Sequence, residues 1–249
     1  MKIVSCGDSI TQGLGVSDHS YIDLIAQKFN NIANLETELF NFAGSAMQIK
    51  ESAYKLEDII SLNPNYVFVM HGITESIVRP TNNSLKFMPK KYRKIGWLDP
   101  RPYFSSKLFK GKYQKIESAL RWRVKNKLIE YDGGMQLTPL EDFKIYFSQF
   151  IESLVNNTKA DIILVSHCGI DERYYPCSLS SLEKYKGWIF DYFTKFENRI
   201  KLVDVSILLN KWDDYFSDHF HPNQSGHEKI ADYIYDTISL QSLDLVTNL

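Results

Sequence analysis

Cysteine is scarce in this chain. Cys6, Cys168 and Cys177 are too few and too scattered for a disulfide framework or a cysteine-built zinc site. Long apolar runs are missing as well. No stretch stays apolar over the ~20 residues that cross a bilayer, and Met1-Lys2 leads straight into a short apolar segment with no signal-type region. The expected compartment is therefore the cytoplasm. Neither sign of charge dominates, since the formal net charge is -1. With 44% hydrophobic and 24% charged residues, the composition is close to that of an ordinary soluble globular protein. A chain of 249 residues buries most of its surface without staples.

The near-neutral total conceals a segregation. Between Arg79 and Lys127 stand 15 Lys and Arg against two acids, Asp99 and Glu117, a net of +13, while the remainder carries -14. Such an asymmetry speaks about partners rather than fold.

Hydrophobic periodicity outlines the frame. Residues 2–6 read as a buried strand entering Gly7-Asp8-Ser9. Tyr21, Leu24, Ile25 and Phe29 recur at helical spacing, Glu38 to Phe42 form a second strand ending at Ala43-Gly44, and 47–61 is helical. Tyr66 to Met70, between Asn63-Pro64 and Gly72, suits a central strand. The rhythm stops over about 76–135, where proline, aromatics and the basic excess gather and only a helix from about Tyr113 to Ile129 is predicted. It resumes with a helix at 139–156, a strand at 161–166, a helix at 180–196, a strand at 200–204 and a closing helix at 223–239. Trp188, Tyr192 and Phe196 lie at helical spacing and read as core. The alternation predicts an α/β domain over 1–240, a parallel sheet with helices on both faces, with a basic insertion at about 76–135 and a tail at 241–249.

Three features fall at the C-terminal ends of predicted strands, where open parallel sheets form their crevice. Ser9 follows the first. A serine hydroxyl is a weak nucleophile without a base, and the base needs a group to hold its tautomer. Asp218-His219-Phe220-His221-Pro222 supplies both: Asp218, three residues before His221, can reach its Nδ1, and Pro222 stiffens the backbone beyond. Gly44, and Gly72 to Glu75, are placed to offer donors to an oxyanion. Plainer readings exist for each. Gly-Asp-Ser is a turn with Ser9 as helix cap, 218–222 is a solvated loop, and the glycines are ordinary turns. A metal held by His219, His221 and His227 is a further alternative, but their spacing is irregular for one.

Taken together, Gly7-Asp8-Ser9-Ile10, the glycine of Asn41-Phe42-Ala43-Gly44 and Asp218-x-x-His221-Pro222 resemble the GDSL, or SGNH, hydrolase superfamily. The likeness spans residues 2 to about 238, with the basic insertion outside it. It implies a three-layer flavodoxin-like sandwich with a central parallel sheet. It further implies Ser9 as nucleophile, His221 as base, Asp218 as its orienting carboxylate, and the N–H groups of Ser9 and Gly44 as oxyanion donors. No metal and no cofactor is expected. One block departs: where the family has Gly-x-Asn-Asp, this chain has Gly72-Ile73-Thr74-Glu75. Thr74 then stands where an Asn would be the third oxyanion donor, and its hydroxyl must aim its hydrogen at the oxyanion to serve. His71 is a candidate to refill the hole.

The insertion interleaves Arg79, Lys86, Lys90, Lys91, Arg93, Lys94 and Arg101 with Phe87, Tyr92, Trp97, Tyr103 and Phe104. It leaves the third strand beside the oxyanion block, so it is expected over or beside the site. Arg79, Lys90, Lys91 and Arg93 are candidate contacts to an anionic, acylated carbohydrate. A basic amphipathic stretch also suits peripheral contact with a membrane. In the 113–128 segment Ile116, Leu120, Val124 and Leu128 form one stripe. Its plainer reading is a helix packing that stripe on the domain. Charge alone does not make a nucleic-acid module, and none is expected. The leading expectation is a serine esterase removing an acyl group, O-acetyl foremost, from a carbohydrate or polysaccharide. The alternatives are an O-acetyltransferase of surface polysaccharide biosynthesis and a non-catalytic carbohydrate- or lipid-binding module. Oligomeric state is not read from sequence.

Overall fold

The computed structural model of the chain describes residues 1–32, 36–94, 96–194, 196 and 199–247, with side chains described for all of these except 32, 193 and 240–247. Of the expected tail at 241–249, the backbone is helical as far as Thr247, continuing the closing helix past its expected end at 239, and 248–249 lie outside the described residues.

Among the described residues, five parallel strands form one sheet: β1 (Lys2–Gly7), β2 (Glu38–Asn41), β3 (Tyr66–Met70), β4 (Asp161–Val165) and β5 (Ile200–Val203). Their order is β2-β1-β3-β4-β5. The inner strands are nearly continuous apolar runs because helices cover both faces. Alternate side chains feed two cores. Ile3, Phe68, Met70, Ile163, Val165 and Val203 face one, and Val4, Cys6, Val67, Val69, Ile162 and Leu164 face the other.

The helices divide accordingly. α1 (Ser9–Gln12) caps β1, and α2 (Tyr21–Ile32) lies on the first face. The helix expected over 47–61 is broken at Tyr54-Lys55 into α3 (Ile49–Ala53) and α4 (Leu56–Ser61). After β3 come α5 (Ile73–Ser76), α6 (Asn82–Leu85) and α7 (Leu108–Asp132), then α8 (Leu140–Asn157), α9 (Ser178–Phe193) and α10 (Gln224–Thr247). α3, α4 and α8 cover the second face, α2 and α10 pack together on the first, and α9 contributes to both cores. Trp188 and Tyr192 pack with Phe147 in the second core, as expected of core residues.

The insertion begins and ends at one point. Arg79 and Met135 form an isolated antiparallel bridge, with N–H···O distances of 2.8 and 2.7 Å. Within it, α7 runs longer than expected and is turned the other way. Ile116 and Leu120 are 70% and 64% exposed, and the side toward the domain carries Gly111, Ser118, Lys125 and Ile129. The plainer reading of that stripe, packed on its own domain, is therefore overturned for these two residues. Periodicity defines a face but not which side of the helix the fold covers.

Candidate active site

β1 and β3 are neighbours, and their C-terminal ends mark the point where strand order reverses. β1 ends at Gly7, where an added Cβ would sit 2.9 Å from the Met70 carbonyl oxygen and 2.3 Å from Thr11 Oγ1. Only glycine permits that approach. Asp8 then caps α1, its Oδ1 accepting the Ile10 N–H at 2.9 Å, and Gly13 ends the turn at φ 81°. This short helix fixes Ser9 at its first position, where its N–H has no intrahelical acceptor.

The loop between β5 and α10 brings the partners. Ser9 Oγ lies 2.9 Å from His221 Nε2, and His221 Nδ1 lies 2.6 Å from Asp218 Oδ2. The second oxygen of Asp218 accepts the N–H groups of Phe220 and His221 at 3.2 and 3.1 Å. Asp218 is buried and otherwise acceptor-only, so it requires the proton on Nδ1 and leaves Nε2 to accept from Ser9. The loop itself is pinned by buried Asp214. Asp214 accepts the Asn210 N–H, the Ser225 hydroxyl and Lys229 Nζ at 2.7–2.9 Å.

Other expected site residues are placed differently. Thr74 Oγ1 donates its one hydrogen to Asp8 Oδ2 at 2.6 Å, so the third oxyanion donor expected there is committed to a carboxylate instead. Burial holds the Asp8 carboxyl above its ordinary range despite that bond. The Gly44 N–H reaches the Gly7 carbonyl at 3.3 Å, a long bond at the edge of the same site. His71 is buried with its Nε2 2.8 Å from Ser52 Oγ and its Nδ1 3.5 Å from Glu75 Oε1. It does not line the cavity. Glu75 is a fastener rather than a donor: its oxygens accept the N–H groups of Ile49 and Gly72 at 2.6 and 2.9 Å. Burial pushes the Glu75 carboxyl up, but the His71 imidazole and the Ile49 N–H outweigh it, leaving Glu75 below the ordinary carboxylate range.

A cavity of about 220 Å3 opens over Ser9 and His221. Leu14, Ile77 and Phe220 line it from the α/β frame, and Gly96, Asp99, Pro100 and Pro102 line it from the insertion. The insertion thus forms one wall, docked by Ser217, whose N–H donates to the Pro102 carbonyl at 3.0 Å. Of the four basic residues expected to hold substrate, only Arg79 is at the cavity. Its Nη1 donates to the Thr74 and Ile77 carbonyls, and Asp99 stands 3.8 Å from its Nε. Asp99 also takes buried Lys125 at 2.7 Å. Burial opposes ionisation of Asp99, but the charges of Lys125 and Arg79 hold its carboxyl below the ordinary range. Lys90, Lys91 and Arg93 lie on an exposed turn of 3-10 helix outside the cavity lining, and Arg93 bonds the Lys86 and Met88 carbonyls. Sequence reasoning did not find Pro100, Pro102 or Tyr175 at the cavity. Asp99 had a signal: an acid isolated among so many cations is a natural buried counter-ion.

The remaining histidines diverge. His219 Nδ1 meets Asp171 Oδ2 at 3.0 Å, and His227 Nδ1 accepts the Tyr21 N–H at 3.0 Å. Among the described residues, no group of three or more His, Cys, Asp or Glu is arranged to hold a metal ion. Burial pushes His227 and His167 each down to about 4. Their unfolded value is about 6.5, so the folded state favours the neutral rings. That contribution is fully present above pH ~6.5 and is lost as pH falls from there toward ~4, at most about 3 kcal/mol per ring. Urea unfolding at neutral pH and near pH 4.5 checks this: the midpoint should drop on acidification, and an unchanged midpoint would contradict it.

A scan against models of protein families gives no match, and neither does a search of curated proteins. Solved structures do match. Axe2, an acetylxylan esterase from Geobacillus stearothermophilus, superposes with a TM-score of 0.59 at 14% identity, over 94% of this chain and 91% of its own. LAE5, an alpha/beta hydrolase enzyme from the metagenome of Lake Arreo, gives 0.60 at 18% identity, over 94% and 92%. A member of the lipolytic protein G-D-S-L family from Veillonella parvula gives 0.56 at 14% identity, over 96% and 98%. Across nearly its whole length, the chain therefore has the fold of the G-D-S-L hydrolases, with five parallel strands ordered 2-1-3-4-5 between layers of helices.

Proposed function

We propose that this chain is a serine esterase that removes a short acyl group, O-acetyl foremost, from a carbohydrate through an acyl-enzyme on Ser9. The observation that carries the reading is the hydrogen-bonded line from Ser9 through His221 to Asp218. In this mechanism the Ser9 oxygen attacks the ester carbonyl while its proton passes to His221 Nε2. The imidazolium that forms is stabilised by Asp218. The oxyanion forms against the Ser9 and Gly44 N–H groups, the latter released from its long bond to Gly7. His221 then protonates the leaving sugar oxygen, and the C–O bond breaks. Water, deprotonated by the same nitrogen, attacks the acyl-enzyme, and the proton returns to Ser9 as acetate leaves.

A cavity of about 220 Å3 suits a short acyl group better than a long chain. Axe2, similar in fold, is an acetylxylan esterase, which supports an acetylated carbohydrate as substrate class. The test is a chromogenic acetate ester combined with a fluorophosphonate probe read by mass spectrometry. Turnover in water and a single adduct on Ser9 are expected. Folded protein with neither would favour the non-catalytic binding module. An oligosaccharide acceptor added to the same assay separates the second acyl-transfer outcome: acetyl appearing on the sugar in preference to acetate in water would make this an O-acetyltransferase.

A further inference from the structure

We propose that α7 is a docking surface for an anionic lipid bilayer. In its N-terminal half the helix carries its apolar side chains on the side away from the domain. Gly111, Ser118 and Lys125, spaced by seven, face the domain. A Cβ on Gly111 would lie 2.5 Å from the Ser105 carbonyl oxygen, Ser118 Oγ accepts the Arg101 N–H at 2.9 Å, and Lys125 pairs with Asp99. Close approach and polar bonds therefore hold the helix down. The opposite side bears Phe109, Tyr113, Ile116 and Leu120 at spacings of four, three and four, which align on one face of a helix. They are 86%, 67%, 70% and 64% exposed. Four large apolar side chains in one line in water mark an interaction surface rather than scattered surface residues.

Charge decides the occupant. Lys107, Lys110, Lys112, Lys115 and Arg123 are exposed around this line. The one acid in this stretch, Glu117, is taken by Arg101 at 2.9 Å. A second copy docked on the same face would set like charges against each other. An apolar line with Phe, Tyr, Ile and Leu, flanked by lysines on a helix of 25 residues, fits the boundary between acyl chains and anionic headgroups. No helix among the described residues is long and apolar enough to cross a membrane, so contact would be peripheral. The Arg101 ties connect α7 to the segment that walls the cavity, so the docked face and the site share one module.

The test is flotation of the full-length chain with phosphatidylcholine vesicles, with and without phosphatidylglycerol, across a salt series. Binding at least about tenfold stronger with phosphatidylglycerol is expected, weakening as salt rises. The combined variant Phe109→Ser, Ile116→Ser, Leu120→Ser should lose at least about tenfold of that binding, as should Lys110→Glu, Lys112→Glu, Lys115→Glu. Both should keep wild-type turnover of a soluble acetate ester, which separates this outcome from any failure of the esterase reading. Absent or equal binding to the two vesicle types would overturn the proposal. So would a concentration-dependent dimer, seen by sedimentation, that the serine variant dissolves, because the face would then belong to a second copy.

Discussion

Asp218→Asn is expected to slow turnover of a soluble acetate ester about 10⁴-fold while the protein stays folded. The argument is one of forced orientation. One oxygen of the carboxylate is engaged by two backbone N–H groups, Phe220 and His221, and the other meets His221 Nδ1 at 2.6 Å. In the amide, the remaining oxygen must stay with the two backbone donors, because turning the NH2 toward them would set donor against donor. The NH2 is then aimed at Nδ1 and makes it an acceptor. The ring proton moves to Nε2, which faces Ser9 at 2.9 Å and can no longer take its hydrogen. Ser9→Ala removes the proposed nucleophile and should reduce turnover at least as far. A loss under about tenfold for Asp218→Asn would mean that His221 does not act through this tautomer.

Asp99→Ala is expected to destabilise the protein by about 3–5 kcal/mol, the cost of leaving a buried charge without its partner. Lys125 has 1% of its side chain exposed and pairs with Asp99 at 2.7 Å, with Arg79 on the other side of the same carboxylate. Removing the acid leaves two cations facing each other under the cavity wall. Adding Lys125→Met should recover much of the loss, since an apolar side chain of similar length then fills the space. Urea unfolding of wild type, single and double variants measures both steps. A double variant no more stable than Asp99→Ala would refute the pairing as the origin of the effect.

What could be read in advance follows from the kind of signal each feature leaves. Tyr66 to Met70 and Asp161 to Val165 announce themselves because strands covered on both faces have no room for polar residues. The meeting of Ser9, Asp218 and His221 is legible because each sits in a short contiguous block next to a strand end or before a helix. The cavity wall is not legible. Pro100 and Pro102 arrive through a segment with no period, held by tertiary bonds such as Ser217 to Pro102. Thr74 illustrates a second limit. Its position at the end of β3 was evident, but the direction of its hydroxyl depends on Asp8 at the end of the neighbouring strand, a pairing that exists only after folding.

The insertion's two ends meet at the Arg79–Met135 bridge. Closing so short a gap asks little of the chain, whatever length lies between, because the entropy of a loop grows only slowly with its size. A replacement segment could begin and finish at the same pair without disturbing strand order. Because that stretch carries both the far wall of the cavity and the exposed face of α7, exchanging it would change both together while leaving Ser9, His221 and Asp218 in place.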